Sequence, residues 1–180
     1  AITDEPSVYL KHFLDSISAS FYEDFNGSLS VCDVGAGAGF PSIPLKICFP
    51  NFNVTIVDSL NKRIQFLTHL SKELNLKNVN FVHARAEEFG QNKEYREQFD
   101  ICVSRAVANL ATLSEYCLPY VKVDGLFVPY KSGEIDEELK SSEKAVSILG
   151  GKVEEVVKFQ LPGTDIGRSF VKIHKIKETK

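Results

Sequence analysis

The segment at residues 31–41, with the sequence VCDVGAGAGFP, constrains this chain more than any other. A short apolar stretch leads into Asp33, three glycines at alternate positions, and a proline suited to the first turn of a helix. Glycine lets the backbone turn sharply and approach a ligand closely. A helix that follows such a turn presents unpaired N–H groups and the positive end of its dipole. The segment therefore predicts a strand, a tight turn and a helix that together hold a cofactor.

The remainder of the chain alternates between strand and helix patterns, and this alternation predicts the fold. Five apolar strands are expected at residues 28–34, 53–57, 80–83, 99–104 and 125–130. Strands that alternate with helices form a parallel sheet with right-handed crossovers. Two further strands, at 153–161 and 169–176, are joined by a short loop rich in turn formers and should pair antiparallel. We expect an α/β fold with a mostly parallel seven-stranded sheet, an antiparallel C-terminal hairpin and helices on both faces.

The domain organisation is expected to be simple. The 180 residues suit one domain, and the sequence shows no internal repeat, low-complexity tract or linker. Residues 7–25 carry apolar side chains at three-to-four spacing, which predicts one amphipathic helix. Since the chain has no Met and begins at Ala1 with a helix close behind, we expect residues 1–27 to be the remnant of a longer helical N-terminal region.

Composition excludes several classes of function. The net charge of −3 argues against an avid, non-specific nucleic-acid binder. The sequence has neither an apolar run of about 18 residues nor a signal peptide, so we expect a cytoplasmic protein that does not span a membrane. The four Cys are scattered singly and do not cluster with the four His, which favours reduced, structural cysteines and no metal site.

Polar residues follow four successive predicted strands, and they favour one cofactor over another. A nicotinamide dinucleotide site has the pattern G-x-G-x-x-G with an acid about 20 residues further on, a distance that Asp58 fits. The third glycine here comes one position early, however, and two more acids, Asp33 and Glu87, flank neighbouring strand ends. S-adenosylmethionine suits this arrangement better, because Asp58 can accept from its ribose hydroxyls, the Ala86–Glu87 region can contact its adenine, and its head groups are cationic. The glycine turn would hold the amino-acid head and the ribose.

Five segments together resemble the RsmG (formerly GidB) family, and the resemblance covers nearly the whole chain. They are DVGAGAGFPSIPL at 33–45, VDSLNKR at 57–63, RAEEF at 85–89, SRAVA at 104–108 and HFLDS at 12–16. The resemblance implies a Rossmann-like class I methyltransferase fold and transfer of a methyl group from S-adenosylmethionine to N7 of a guanine in 16S ribosomal RNA. It also implies cofactor contacts, which with those expected from the strand ends form the predicted set Asp33, Gly35, Gly37, Gly39, Phe40, Asp58, Ala86, Glu87 and Arg105.

Arg105 is the predicted catalytic residue. Guanine N7 already presents a lone pair, so its methylation removes no proton and requires positioning rather than a general base. The Arg105 guanidinium could contact the cofactor, donate to guanine O6 or hold a phosphate. Lys131 and Arg168 are candidate contacts to RNA phosphates, and the basic residues near the C-terminus are either solvated or in contact with RNA. His12 and Asp15, one helical turn apart, are expected to be structural.

The expected partner is 16S ribosomal RNA in a small-subunit particle, bound by a monomer, with no DNA and no membrane involved. Two other hypotheses stay open on the sequence alone. One is a non-catalytic ribosome-assembly or RNA-binding module on the same fold. The other is an enzyme acting on small molecules, either a methyltransferase or a dehydrogenase. Only the resemblance indicates which kind of nucleotide is modified.

Overall fold

The computed structural model describes residues 4–105 and 107–180. Seven strands form one sheet: β1 (Ser30–Val34), β2 (Asn53–Asp58), β3 (Val79–His83), β4 (Phe99–Arg105), β5 (Val121–Ser132), β6 (Gly151–Gln160) and β7 (Gly167–Lys175). Their order is β3-β2-β1-β4-β5-β7-β6. β1 to β5 pair in parallel, and β7 pairs antiparallel with both β5 and β6. The predicted sheet, including its antiparallel C-terminal hairpin, is confirmed.

Helices connect the parallel strands and precede the first one. They are α1 (Glu5–Val8), α2 (Asp15–Ile17), α3 (Ser42–Cys48), α4 (Asn61–Glu73), α5 (Ala86–Phe89), α6 (Leu110–Cys117) and α7 (Asp136–Ile148). A π-helical segment, Tyr9–Leu14, joins α1 to α2, and two 3₁₀ turns cover Ser18–Phe21 and Leu118–Tyr120. None of the helices in the described residues is long and apolar enough to cross a membrane.

Two hydrophobic cores cover the two faces of the sheet. Side chains alternate between faces along a strand, so neighbours in sequence enter different cores. Val31 and Ile101 pack with residues of α3 and α4 on one face, whereas Cys32 and Cys102 pack with residues of α6 and α7 on the other. Burial raises the pKa of the Cys32 and Cys102 thiols, which keeps them protonated and unreactive. β1, β2 and β4 are therefore buried on both sides, whereas the edge strand β3 is only partly covered. The exposed chemistry of the three central strands is confined to their ends.

Several local boundaries differ from those expected. The single helix predicted at 7–25 is interrupted by the π-helical segment and ends in a 3₁₀ turn at Phe21. α4 begins at Asn61 without a side-chain cap, and the Asp58 carboxylate accepts from the N–H of the preceding residue, Leu60, at 2.9 Å. β5 begins four residues earlier than expected because Asp124 adopts a left-handed φ of 68°, which lets a polar, irregular stretch continue the strand.

Candidate functional site

A cleft of about 800 Å³ opens at the carboxyl ends of β1, β2, β3 and β4. β1 lies between β2 and β4, so the chain reverses its direction of winding at this point, which is where open α/β sheets bind ligands. Most of the predicted site residues line the cleft, namely Gly35, Gly37, Phe40, Asp58, Ala86, Glu87 and Arg105. The topology thus brings together side chains from four separate strand ends.

Two predicted site residues, Asp33 and Gly39, do not line the cleft. Asp33 is fully buried, and its Oδ2 accepts from the N–H of Ser42 at 3.1 Å, at the start of α3. Gly39 has a positive φ of 104°, and a Cβ there would lie 2.7 Å from Ile43 Cγ1 and 3.0 Å from Leu67 Cδ2. Gly39 is therefore needed for the packing of α3 and α4 beneath the turn, and Asp33 can act on a ligand only from below.

Gly37 has the features expected of a cofactor cradle. Its φ is 61°, in the left-handed region that favours glycine, and a Cβ at this position would meet no described atom within 4 Å. The space above Gly37 is part of the cleft. A ligand can therefore approach the backbone here without meeting a side chain.

Asp58 connects the glycine turn to α4. Its carboxylate is only 3% exposed and accepts from three donors: Gly37 N at 3.3 Å, Leu60 N at 2.9 Å and Arg63 Nη1 at 3.4 Å. The two longer bonds are weak by geometry, so a ligand hydroxyl can take their place on Oδ2.

The buried carboxyl of Asp33 lies at the base of the glycine turn. Burial raises the pKa of Asp33 to about 7, against the opposing hydrogen bond from the Ser42 N–H and the positive charge of Arg105. Within the described residues, Asp33 Oδ1 and Ser42 Oγ have no hydrogen-bond partner. Buried polar atoms without partners are uncommon in folded proteins, and a bound group is one way of satisfying them. A cationic group bound above the turn would favour the ionised form of Asp33.

The third strand end provides an apolar wall and an acid. α5 begins at Ala86, and the Tyr120 hydroxyl donates to the Ala86 carbonyl at 2.7 Å, which anchors the first turn. Glu87 is exposed in that turn, where a negative charge is favourable. Ala86 is therefore held rigidly against the cleft, while the Glu87 side chain is available to a ligand.

Arg105, at the end of β4, is held by a carboxylate from the N-terminal helical region. Arg105 Nη1 donates to Asp15 Oδ2 at 3.0 Å, and Arg168 Nε donates to Asp15 Oδ1 at 2.9 Å. The Asp15 side chain is 4% exposed, and those of Arg105 and Arg168 are 15% and 24% exposed. One buried carboxylate thus pairs with two guanidinium groups. Asp15 therefore has a structural role at the edge of the cleft, where it fixes the predicted catalytic arginine.

The π-helical segment also bonds to Arg105. Arg105 Nη1 lies 3.2 Å from the Lys11 carbonyl, and Nη2 lies 3.3 Å from His12 Nδ1. The His12 ring stacks on Phe40 at 5.1 Å, and the Arg105 guanidinium lies 5.1 Å from the same Phe40 ring. Burial lowers the pKa of His12, and the charge of Arg105 lowers it further, so the ring is neutral and can accept from the guanidinium. Short π-helical segments are frequent at functional sites.

Two cations expected at the RNA surface are engaged in ion pairs within the chain. Arg168 pairs with Asp15, and Lys131 Nζ lies 2.6 Å from Glu138 Oε1 and donates to the Ala108 carbonyl at 2.9 Å. Both side chains line a second cavity of about 480 Å³ next to the cleft. Neither is a lone solvated cation, and neither is wholly withdrawn from solvent.

The basic residues near the C-terminus are also more structural than the sequence indicated. Lys175 is fully buried, donates to the Leu118 carbonyl at 2.7 Å and pairs with Glu97 at 3.1 Å. Lys172 pairs with Glu23 at 2.8 Å and with Glu155 at 3.0 Å. Two of the four lysines in this region therefore hold the last strand against the rest of the fold.

Several residues that line the cleft were not in the predicted set of site residues. Arg63 and Ser59 follow Asp58 within the segment that carried the resemblance, so their position in the cleft is unsurprising. Val107 lies in the SRAVA segment, which also carried the resemblance, whereas Tyr116, on α6, gave no signal. Val107 also explains Gly35, since a Cβ on Gly35 would lie 2.7 Å from Val107 Cγ2. Ala106, within the predicted SRAVA turn, lies outside the described residues.

The chain matches one family model over residues 1–166, that of GidB, described as rRNA small subunit methyltransferase G. A protein of Lysinibacillus sphaericus (strain C3-41), named ribosomal RNA small subunit methyltransferase G, is 62% identical over 179 residues, which are 99% of this chain and 75% of that protein. A protein of the same name from Bacillus subtilis (strain 168) is 56% identical over the same shares of the two chains.

Solved structures support the fold. A mutant of MtNAS crystallised in complex with S-adenosylmethionine superposes with a TM-score of 0.69 at 14% identity. The superposition covers 94% of this chain and 63% of that one. The predicted Rossmann-like class I methyltransferase fold is confirmed, as is the resemblance on which that prediction rested.

Proposed function

Because this chain belongs to the GidB family of rRNA small subunit methyltransferases, we propose that it transfers a methyl group from S-adenosylmethionine to N7 of a guanine in 16S ribosomal RNA. One observation carries the proposal. The same cleft is lined by the glycine turn after β1, by the Asp58 carboxylate at the end of β2 and by Arg105 at the end of β4. A cofactor bound in such a cleft would lie beside a fixed guanidinium that can orient an acceptor base.

The residues present fit S-adenosylmethionine. The open space at Gly37 admits a ligand against the backbone, and Asp58 has weakly engaged lone pairs for ribose hydroxyls. Ala86 offers an apolar surface to the adenine, and Glu87 an acceptor for its amino group. The unpartnered Asp33 Oδ1 beneath the turn suits the ammonium group of the amino-acid head.

Methyl transfer to guanine N7 requires the protein to orient the base but not to remove a proton from it. When bound, S-adenosylmethionine supplies an electrophilic methyl group on a sulfonium. Guanine N7 would attack this methyl group with its own lone pair while the S–CH3 bond breaks and S-adenosylhomocysteine leaves, so no side chain would have to remove a proton. Arg105 would hold the base in line and help to exclude water, effects that contribute several kcal/mol to catalysis. The neutral His12 keeps Arg105 in place without adding a second positive charge.

A dinucleotide fits the same cleft less well. A pyrophosphate needs backbone N–H donors at the start of the helix. Here the Gly37 N–H points at Asp58 Oδ2, and a second carboxyl, Asp33, lies beneath the turn. These two carboxyl groups thus occupy backbone N–H donors that a pyrophosphate would need. The intact set of ligand groups likewise favours an enzyme over a module that retains only the fold.

The proposal includes the form of the substrate. A chain with a net charge of −3 attracts bare RNA weakly, so we infer that a structured small-subunit particle, recognised by shape and specific contacts, is the acceptor. The enzyme would act on it as a monomer.

Methyl transfer tests the proposal directly. The protein is incubated with S-adenosylmethionine carrying a labelled methyl group and either small ribosomal subunits or protein-free 16S RNA. We expect label in the RNA, more of it with particles, and strong loss of transfer in the Asp58→Ala and Arg105→Ala variants. Full activity of both variants would contradict the assigned site, and no transfer to either acceptor would contradict the function.

A further inference from the structure

A second cavity adjoins the cofactor cleft and shares two lining residues with it, His12 and Arg105. Its volume of about 480 Å³ is within the range of small-ligand sites, roughly 300–1,000 Å³. We propose that this cavity binds the acceptor base, a purine with a carbonyl oxygen at C6, through Arg105 and Arg168. Asp15 is the residue that positions both arginines. The inference rests on the proposed function and deepens it.

The charge of the cavity favours an electron-rich ligand. Four cations line it, namely Lys11, Arg105, Lys131 and Arg168. Asp15 and Glu138 are the two acids paired with them, so four positive charges face two negative ones. This local excess of positive charge contrasts with the net charge of −3 of the chain. A ligand that presents hydrogen-bond acceptors, such as a base edge with its phosphate, is complementary to it.

Asp15 accepts from only one nitrogen of each guanidinium group, Nη1 of Arg105 and Nε of Arg168. Arg168 donates from Nε to Asp15 and from Nη1 to the Gly167 carbonyl at 3.1 Å. Within residues 4–105 and 107–180, its Nη2 has no acceptor, and neither has the Nε of Arg105. A guanidinium carries five N–H donors in a rigid plane, so fixing one edge aims the others. Asp15 therefore fixes donors on two arginines while leaving some of them available at the cavity.

These donors distinguish guanine from adenine. In addition to N7, guanine presents the O6 acceptor on its outer edge, whereas adenine presents the N6 amino donor. Guanidinium groups can donate to O6 but not to an amino group, and adenine would leave them facing another donor. A polar site that loses its partner discriminates strongly, because buried groups are then left unpaired. The cavity should therefore accept guanine and reject adenine.

The residues shared by the two cavities determine how the acceptor base would face the cofactor. Because His12 and Arg105 line both spaces, a base in the second cavity has its edge toward the cofactor cleft at these two residues. N7 and O6 are adjacent on that edge. Donation from the arginines to O6 leaves the N7 lone pair unengaged and directed at the cleft, as attack on a methyl group requires.

Kinetics of three variants test the positioning role. We expect Asp15→Asn and Arg168→Ala to lower kcat/KM for small subunits on the order of ten- to a hundred-fold. Arg168 does not line the cofactor cleft, so Arg168→Ala should leave the Kd for S-adenosylmethionine unchanged. Arg168→Lys keeps the ion pair with Asp15 but lacks the planar fork, so we expect partial recovery. Lys158→Gln breaks a comparable but exposed pair with Asp136, 2.7 Å apart, and is the matched control.

Nucleotide binding tests the cavity in the absence of RNA. With the cleft saturated by S-adenosylhomocysteine, we expect guanosine monophosphate to bind the wild type at least about tenfold more tightly than adenosine monophosphate. Arg168→Ala should abolish that preference even if Asp15→Asn proves too unstable to measure. Equal binding of the two nucleotides by the wild type, or wild-type kinetics in both Asp15→Asn and Arg168→Ala, would overturn the inference while methyl transfer still stands. Absence of transfer by the wild type would contradict the proposed function itself.

Discussion

The N–H of Gly37 donates to the carboxylate of Asp58 across 3.3 Å, which joins the turn after β1 to the end of β2. The same carboxylate accepts from the N–H of Leu60, the residue that precedes α4. The acid expected to bind a ribose is thus already oriented by the glycine expected to admit the cofactor. This linkage makes the cleft a preformed site, and it determines how its substitutions should behave.

Substitution of Asp58 should weaken cofactor binding without unfolding the protein. Asp58→Asn removes the charge but keeps the size, and a lost charge-assisted hydrogen bond is worth about 1.5–3 kcal/mol, or roughly a ten- to hundred-fold rise in Kd. Calorimetric titration with S-adenosylmethionine measures the change. Asp136→Asn, at an exposed ion pair, is the control and should leave the Kd unchanged. An unaltered Kd in Asp58→Asn would exclude Asp58 from the site.

Substitutions at two glycines with similar backbone conformations distinguish the effect of backbone strain from the effect of lost ligand contact. Gly37 and Gly163 have φ values of 61° and 73°, and at both positions a Cβ meets nothing described within 4 Å. Alanine at either position should reduce stability by about 1–2 kcal/mol through its left-handed backbone. Only Gly37→Ala should also lose affinity for S-adenosylmethionine, because only its methyl group enters the cleft. Thermal unfolding and titration of both variants give the comparison, and equal affinities would contradict the cradle at Gly37.

Asp33 should make the stability of the ligand-free protein depend on pH. Burial raises the pKa of Asp33 from 3.8 to about 7, so the folded state holds its proton more tightly than the unfolded state. Its contribution to stability is fully present below about pH 4 and is lost as pH rises through 7. Between those values each pH unit removes up to about 1.4 kcal/mol. Urea unfolding of the wild type and of Asp33→Asn should show this fall only in the wild type, and parallel profiles would disprove it.

Lys175 should matter for stability rather than for RNA binding. It is fully buried with bonds to Leu118, Val121, Thr179 and Glu97, and removing one member of a buried ion pair costs about 3–5 kcal/mol. Lys177→Ala, at an exposed neighbouring position, should change the free energy of unfolding by less than about 0.5 kcal/mol. Chemical denaturation distinguishes the two variants. Equal stability of both would return Lys175 to the list of candidate RNA contacts.

The sequence predicted the sheet and most of the cleft because both depend on local patterns. Strand, turn and helix follow one another within each unit, and an acid at a strand end must lie at the edge of a parallel sheet. Asp58 and Ala86 could therefore be placed before their contacts were known. Gly39 shows the limit of this reasoning, because a glycine run does not reveal which glycine faces ligand and which faces Ile43 and Leu67.

The contacts around Arg105 could not be predicted in the same way. Asp15 and Arg105 are 90 residues apart, and Arg168 is 153 residues from Asp15. Nothing local to any of the three indicates that they meet. The π-helical segment depends on the same tertiary contacts, since Arg105 donates to the Lys11 carbonyl within it. Long-range pairing between charged groups is the part of this site that only the folded structure reveals.

The position of the transferred methyl group tests the central claim most directly. 16S RNA is isolated from cells with and without the gene and cleaved selectively at 7-methylguanosine by reduction and aniline treatment. We expect one cleavage site that is present with the gene, absent without it, restored by the wild type and not by Asp58→Ala. Identical cleavage patterns from the two cell types, or a methyl group found on any atom other than guanine N7, would contradict the proposed function.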